Sequence, residues 1–92
     1  MTLGQRLRQL REERGLMQRE VGAWVEVDGA MISKVENGDK RINRDHLPIL
    51  SAKFNVTLSE LQNLWLADKV RSVLKSEANP QAVLEIVQQD YT

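Results

Sequence analysis

The sequence predicts an all-α fold, a compact five-helix domain followed by a helical extension. Three observations carry this. No segment alternates apolar and polar residues for five or more positions, as a half-buried strand would. Leucines and valines recur instead at helical spacing, as in Leu3, Leu7 and Leu10. Helix-starting and helix-stopping residues punctuate these stretches at regular intervals: Thr2, Asp28, Thr57 and Asn79 as N-caps, Gly15 and Asn37-Gly38 as stops.

Taken in order, Thr2 caps the first helix, with Gln5 three residues on to complete a capping box, and Gly15 ends it. A short second helix runs from about Gln18 to Val25, with Val21 and Val25 inward. Glu26-Val27-Asp28 forms a tight turn, and Asp28 caps a third helix over about Gly29–Asn37 that buries Ile32 and Val35. Residues 39–43 form a polar loop. The fourth helix carries Pro48 in its first turn, where a missing N–H costs little, and ends near Phe54 with Leu47 and Leu50 inward. Thr57 and Glu60 suggest a second capping box opening a fifth helix, which continues through Val70 and Leu74 or breaks before them. Asn79-Pro80 restarts the chain as a last helix with Val83, Ile86 and Val87 on one stripe. The expected division is a helical domain over 1–66 and a C-terminal helical extension over 67–92.

Composition narrows the function. The chain has 92 residues, 41% hydrophobic and 28% charged, the mixture of an ordinary soluble domain. Thirteen Lys and Arg balance thirteen Asp and Glu. The balance is uneven along the chain, however: residues 1–56 carry +2 and residues 57–92 carry −2, so an anionic partner belongs to the N-terminal part. Without cysteine there is no disulfide or thiolate chemistry, and with His46 as the single histidine there is no His-based metal site. His46 beside Asp45 reads as a helix-start residue rather than a catalytic one. No constellation points to an enzyme, a metal or another cofactor. No apolar run approaches the ~20 residues that span a bilayer, and the N-terminus turns charged at Arg6, so a cytoplasmic, nucleoid-associated protein is expected.

Two short helices joined by a three-residue turn, the second opened by Asp28 and closed by Asn37-Gly38, have the sequence form of a helix-turn-helix. The solvent side of the second helix then carries Gly29, Ala30, Met31, Lys34 and Asn37, a narrow and mostly uncharged surface suited to a major groove about 12 Å wide.

On these residues the chain resembles the Cro/cI-type (XRE) helix-turn-helix regulators, which have a lambda-repressor-like fold. The likeness runs from Leu3-Gly4 to Leu64 and is strongest over residues 7–16, at Gln18 and over Ile32-Ser33-Lys34-Val35-Glu36-Asn37-Gly38. Residues 64–70 also resemble the controllers of restriction–modification operons. The resemblance implies DNA contacts from Gln18 and Arg19, from Gly29, Ala30, Met31, Lys34 and Asn37, and from Lys40, Arg41 and Arg44 in the loop that tracks phosphates. Arg44 is within reach of a minor groove. It also implies a partly buried salt bridge between Arg11 and Glu36; Arg6, Arg8 and Arg14 read as a solvated face.

Two residues depart from the family pattern. Met17 replaces a Ser or Thr N-cap, worth about 1 kcal/mol, and Glu26 replaces a turn glycine, worth roughly 1 kcal/mol if φ is positive. Gly29 and Ala30 offer no side-chain hydrogen bonds, so Lys34, Gln18 and Met31 carry direct readout, with phosphate contacts and DNA shape supplying the rest.

A chain this short cannot bury Trp65, Leu66, Val70, Val73, Leu74 and the apolar residues of the last helix by itself. A homodimer is therefore expected through Leu58, Leu61, Trp65, Leu66 and Val70. The resulting reading is a homodimeric regulator of transcription on an inverted-repeat operator in double-stranded DNA. The alternatives are an antitoxin of a toxin–antitoxin pair and a protein-interaction module without DNA binding.

Overall fold

The structure, a computed structural model, describes all residues from Met1 to Thr92. It is entirely helical. Six α-helices follow in order: α1 (Leu3–Glu13), α2 (Gln18–Trp24), α3 (Gly29–Glu36), α4 (Leu47–Phe54), α5 (Leu58–Leu74) and α6 (Pro80–Gln88). Single 3-10 turns precede α4 (Arg44–His46) and follow α6 (Gln89–Tyr91).

The caps act largely as the sequence predicts. Thr2 accepts from the Gln5 N–H at 3.1 Å while Gln5 accepts from the Thr2 N–H at 2.9 Å, closing the capping box. Asp28 accepts from the Met31 N–H at 2.8 Å, and Asn79 accepts from the Ala82 N–H at 3.2 Å. Thr57 caps α5 through the Glu60 N–H, but the second box does not close, because the Glu60 carboxylate turns instead to Arg6 Nε at 3.1 Å and ties α5 to α1. Met17 cannot accept from α2. The Glu20 carboxylate still takes the Met17 N–H at 3.0 Å, so half of that terminus is satisfied. Glu26 does occupy the left-handed region, at φ 60°, so the turn keeps the conformation a glycine would take and Glu26 bears the strain.

The core is one cluster: Leu3, Leu7 and Leu10 from α1, Val21 and Val25, Ile32 and Val35, then Ile42, Leu47, Leu50, Phe54 and Leu61. Trp24 edges onto Phe54 with ring centroids 5.1 Å apart. Arg14 is not merely solvated. It lies over the Phe54 ring and donates to the carbonyls of Leu10 and Phe54, closing the lower end of the bundle.

The C-terminal part stands apart. α5 is one unbroken helix of 17 residues, continuous across residues 66 and 67. Beyond Trp65 it leaves the core, and α6 packs mainly on its own following turn. The radius of gyration is 14.8 Å, against about 12 Å for a compact chain of this length.

Three residues expected at a dimer interface are occupied within the chain. Leu61 is 0% exposed at the centre of the core, Leu58 packs half-buried against it, and the Trp65 indole N–H donates to the Ile42 carbonyl at 2.9 Å. The core needs these residues because α5 is its closing wall. Leu66 and Val70, on the opposite side of the same helix, remain exposed together with Val73, Val83, Leu84, Ile86 and Val87.

Candidate nucleic-acid interface

The relative placement of α1, α2 and α3 rests on one buried carboxylate. Glu36, the last residue of α3, accepts from Arg11 Nε at 2.7 Å and from a terminal Arg11 nitrogen at 3.0 Å, a bidentate pair. Gln18, at the start of α2, donates to the same carboxylate at 3.1 Å, and Arg11 also donates to the Leu16 carbonyl at 2.9 Å. The side chains of Arg11 and Glu36 are 14% and 2% exposed, so this is an interior pair.

The Glu36 hydrogen bond raises the Arg11 guanidinium above its usual value, against the opposing effect of burial and with the added pull of the Glu36 and Glu12 charges. A raised value means the contribution to stability is complete at lower pH and lost only as pH rises through the folded-state value. That loss lies in the strongly alkaline range, so Arg11 confers no pH dependence near neutrality.

Close backbone approach sets the same geometry. A Cβ on Gly4 would stand 2.2 Å from the Val35 carbonyl oxygen, and one on Gly22 would stand 2.4 Å from that of Val27. At Gly29 a Cβ would be 3.2 Å from the Arg19 backbone nitrogen. Gly29 is thus a contact point between α2 and α3 and is half-buried rather than presented outward. Met31 likewise packs against the core and is half-buried. What remains exposed on α3 and its C-cap is Ala30, Lys34 and Asn37, a stripe at i, i+4 and i+7, with Ser33 half-buried beside it.

Charge follows the same division. Arg6, Arg8, Arg11 and Arg14, all from α1 and its C-cap, each lie beside a carboxylate, and so does Arg71. Arg19, Lys34, Lys40, Arg41 and Arg44 form no ion pair, and neither do Lys53, Lys69 and Lys75. The arginines of α1 are thus neutralised by neighbouring acids, whereas the cations of α2, the end of α3 and the following loop have no carboxylate partner.

Trp65 organises part of that loop. Arg41 stacks over its ring at 4.1 Å from the centroid, with Arg44 at 5.3 Å and Lys69 at 5.9 Å, and Arg41 also donates to the Trp65 carbonyl at 3.1 Å. Arg41 is therefore held rather than free. Lys69 escaped the sequence reading because a lysine on a long helix gives no signal of which neighbours it will meet. No group of three or more His, Cys, Asp or Glu side chains is placed to hold a metal ion, and no helix is long and apolar enough to cross a membrane.

Comparison with known proteins agrees with this arrangement. The family model described as a helix-turn-helix domain matches residues 2–64. The protein named control protein C.MunI, from Mycoplasma sp, is 36% identical over 62 residues, covering 66% of this chain and 84% of that protein. No solved structure matches. With α2 and α3 set at a buried Arg11–Glu36 pair and an unpaired basic edge beside them, the chain belongs to the helix-turn-helix family of DNA-binding transcriptional regulators, of the Cro/cI (XRE) type.

Proposed function

We propose that the chain binds an inverted-repeat operator in double-stranded DNA as a homodimer, regulating its own operon or a restriction–modification operon. The observation that carries the DNA contact is the exposed stripe of Ala30, Lys34 and Asn37, flanked by cations without carboxylate partners. Small Ala30 lets α3 approach the groove floor, and Lys34 reaches a base edge as a point donor. Asn37, Gln18, Arg19, Lys40 and Arg41 take phosphates, and Arg44 reaches the adjacent minor groove. Gly29 and Met31 shape the motif rather than touch DNA. The resemblance of residues 64–70 to restriction–modification controllers, and the name of the similar control protein, support the controller role.

The homodimer is supported by α6. A nine-residue helix with little tertiary packing is marginal in water, since isolated helices need more than about 12 residues even in favourable sequences. Its apolar stripe, continued by Leu66, Val70 and Val73 on α5, therefore requires a cover, and a twofold contact between identical patches supplies one. The same face is what favours the antitoxin alternative; a chain that sediments as a monomer would shift the balance towards it.

Replacing Lys34 with alanine tests the reading. Specific binding should weaken by ~1–3 kcal/mol, with relaxed preference at one base pair per half-site. Quantitative gel shifts on matched and single-substituted duplexes measure both. Unchanged affinity and unchanged preference would contradict this placement of α3.

A further inference from the structure

The helix-turn-helix match ends at residue 64, yet α5 runs on to Leu74 and its cap Lys75. This stretch brings a second basic group against the loop after α3. A cavity of about 340 Å³ opens between the first turn of α1, the Gly38–Ile42 loop and the C-terminal half of α5. Its charged lining is Lys40, Arg41, Arg71 and Lys75, against the single acid Asp68. Asp68 is already engaged: one oxygen accepts from the Leu3 N–H at 3.1 Å and the other from Arg71. Arg71 also donates to the Met1 carbonyl at 3.2 Å, and Arg41 is held on Trp65. Lys40 and Lys75 carry no ion pair. In a chain of zero net charge, this cleft gathers a local excess of +3, which repels itself unless an anion joins it.

We propose that the C-terminal half of α5 makes a DNA-backbone contact of its own, in which Lys75, lining the same cleft as Lys40, takes a phosphate outside the two helices of the motif. The inference rests on the DNA reading above and names a contact that reading does not include. A lysine meets a phosphodiester as a point charge without regard to sequence, so its effect must be equal on operator and unrelated DNA.

The test measures Kd against salt concentration on an operator-containing and an unrelated duplex of equal length, for the wild-type chain, Lys75→Gln and Lys53→Gln. Lys53 makes the same charge change on α4, outside the cleft. Each lost phosphate contact lowers the slope of log K against log salt by about 0.9 and weakens binding about fivefold near 0.15 M salt; a homodimer loses two, so the slope falls by about 1.8 and binding by about thirtyfold. Lys75→Gln should show both effects on both duplexes, and Lys53→Gln neither. A wild-type slope for Lys75→Gln, alongside normal operator preference, overturns this contact and leaves the DNA reading intact. Absence of duplex binding by the wild-type chain overturns the DNA reading and this contact with it.

Discussion

Replacing Glu36 with alanine should cost about 3–5 kcal/mol of folding stability, a large share of the roughly 5–15 kcal/mol available to a small domain. The substitution strands a buried guanidinium. Arg11 loses both bonds of its bidentate pair, and Gln18 loses its acceptor at the same moment. Three helices then lose their shared anchor, so DNA affinity should fall with stability. Urea unfolding followed by the fluorescence of half-buried Trp24 gives the stability directly. Arg11→Ala should cost a comparable amount, because it leaves the Glu36 carboxylate buried with Gln18 alone. The double variant should cost little more than either single one, since the second substitution removes a charge already stranded. Additive losses, or single losses below about 1 kcal/mol, would show that the pair does not anchor the motif.

Gly4→Ala should be nearly as damaging, at about 3 kcal/mol or somewhat more, the upper end of what overpacking costs. The added methyl would meet the Val35 oxygen at 2.2 Å and the Glu36 oxygen at 2.9 Å, and both belong to the backbone. No side chain can rotate away to make room. α1 must separate from the end of α3, which also pulls on the Arg11–Glu36 pair. Gly15→Ala is the informative comparison: its Cβ would meet nothing within 4 Å, and the cost there comes only from the left-handed backbone at φ 64°, roughly 1 kcal/mol. Equal unfolding midpoints for the two variants would contradict the close α1–α3 contact.

Local signals made most of the architecture legible in the sequence. Thr2, Asp28 and Asn79 each carry their helix start in their own side chain, and the Leu3, Leu7, Leu10 spacing fixes the inner face of α1. What could not be read were long-range choices between local partners. Glu60 has the spacing of a capping-box residue, yet Arg6 lies 54 positions away in sequence and within reach in space, and that pairing wins. Leu61 looks like any other apolar residue of a long helix, and only the closed bundle shows that it is consumed inside. Gly4 within a helical stretch is a packing signal in principle, but the identity of the backbone it must admit emerges only when α3 is in place.

At the candidate interface, the stripe of Ala30, Lys34 and Asn37 follows from helical period alone, whereas the packing of Met31 depends on the bundle beneath it. The basic cleft under α5 joins residues 35 positions apart, Lys40 and Lys75, so neither charge pattern nor spacing announces it.

Selecting bound duplexes from a random pool tests most directly whether two copies of α3 read one face of DNA. The enriched sequences should contain an inverted repeat with half-site centres one helical turn apart, about 34 Å or 10 base pairs. Enrichment of a single asymmetric motif, or of nothing, would contradict the account.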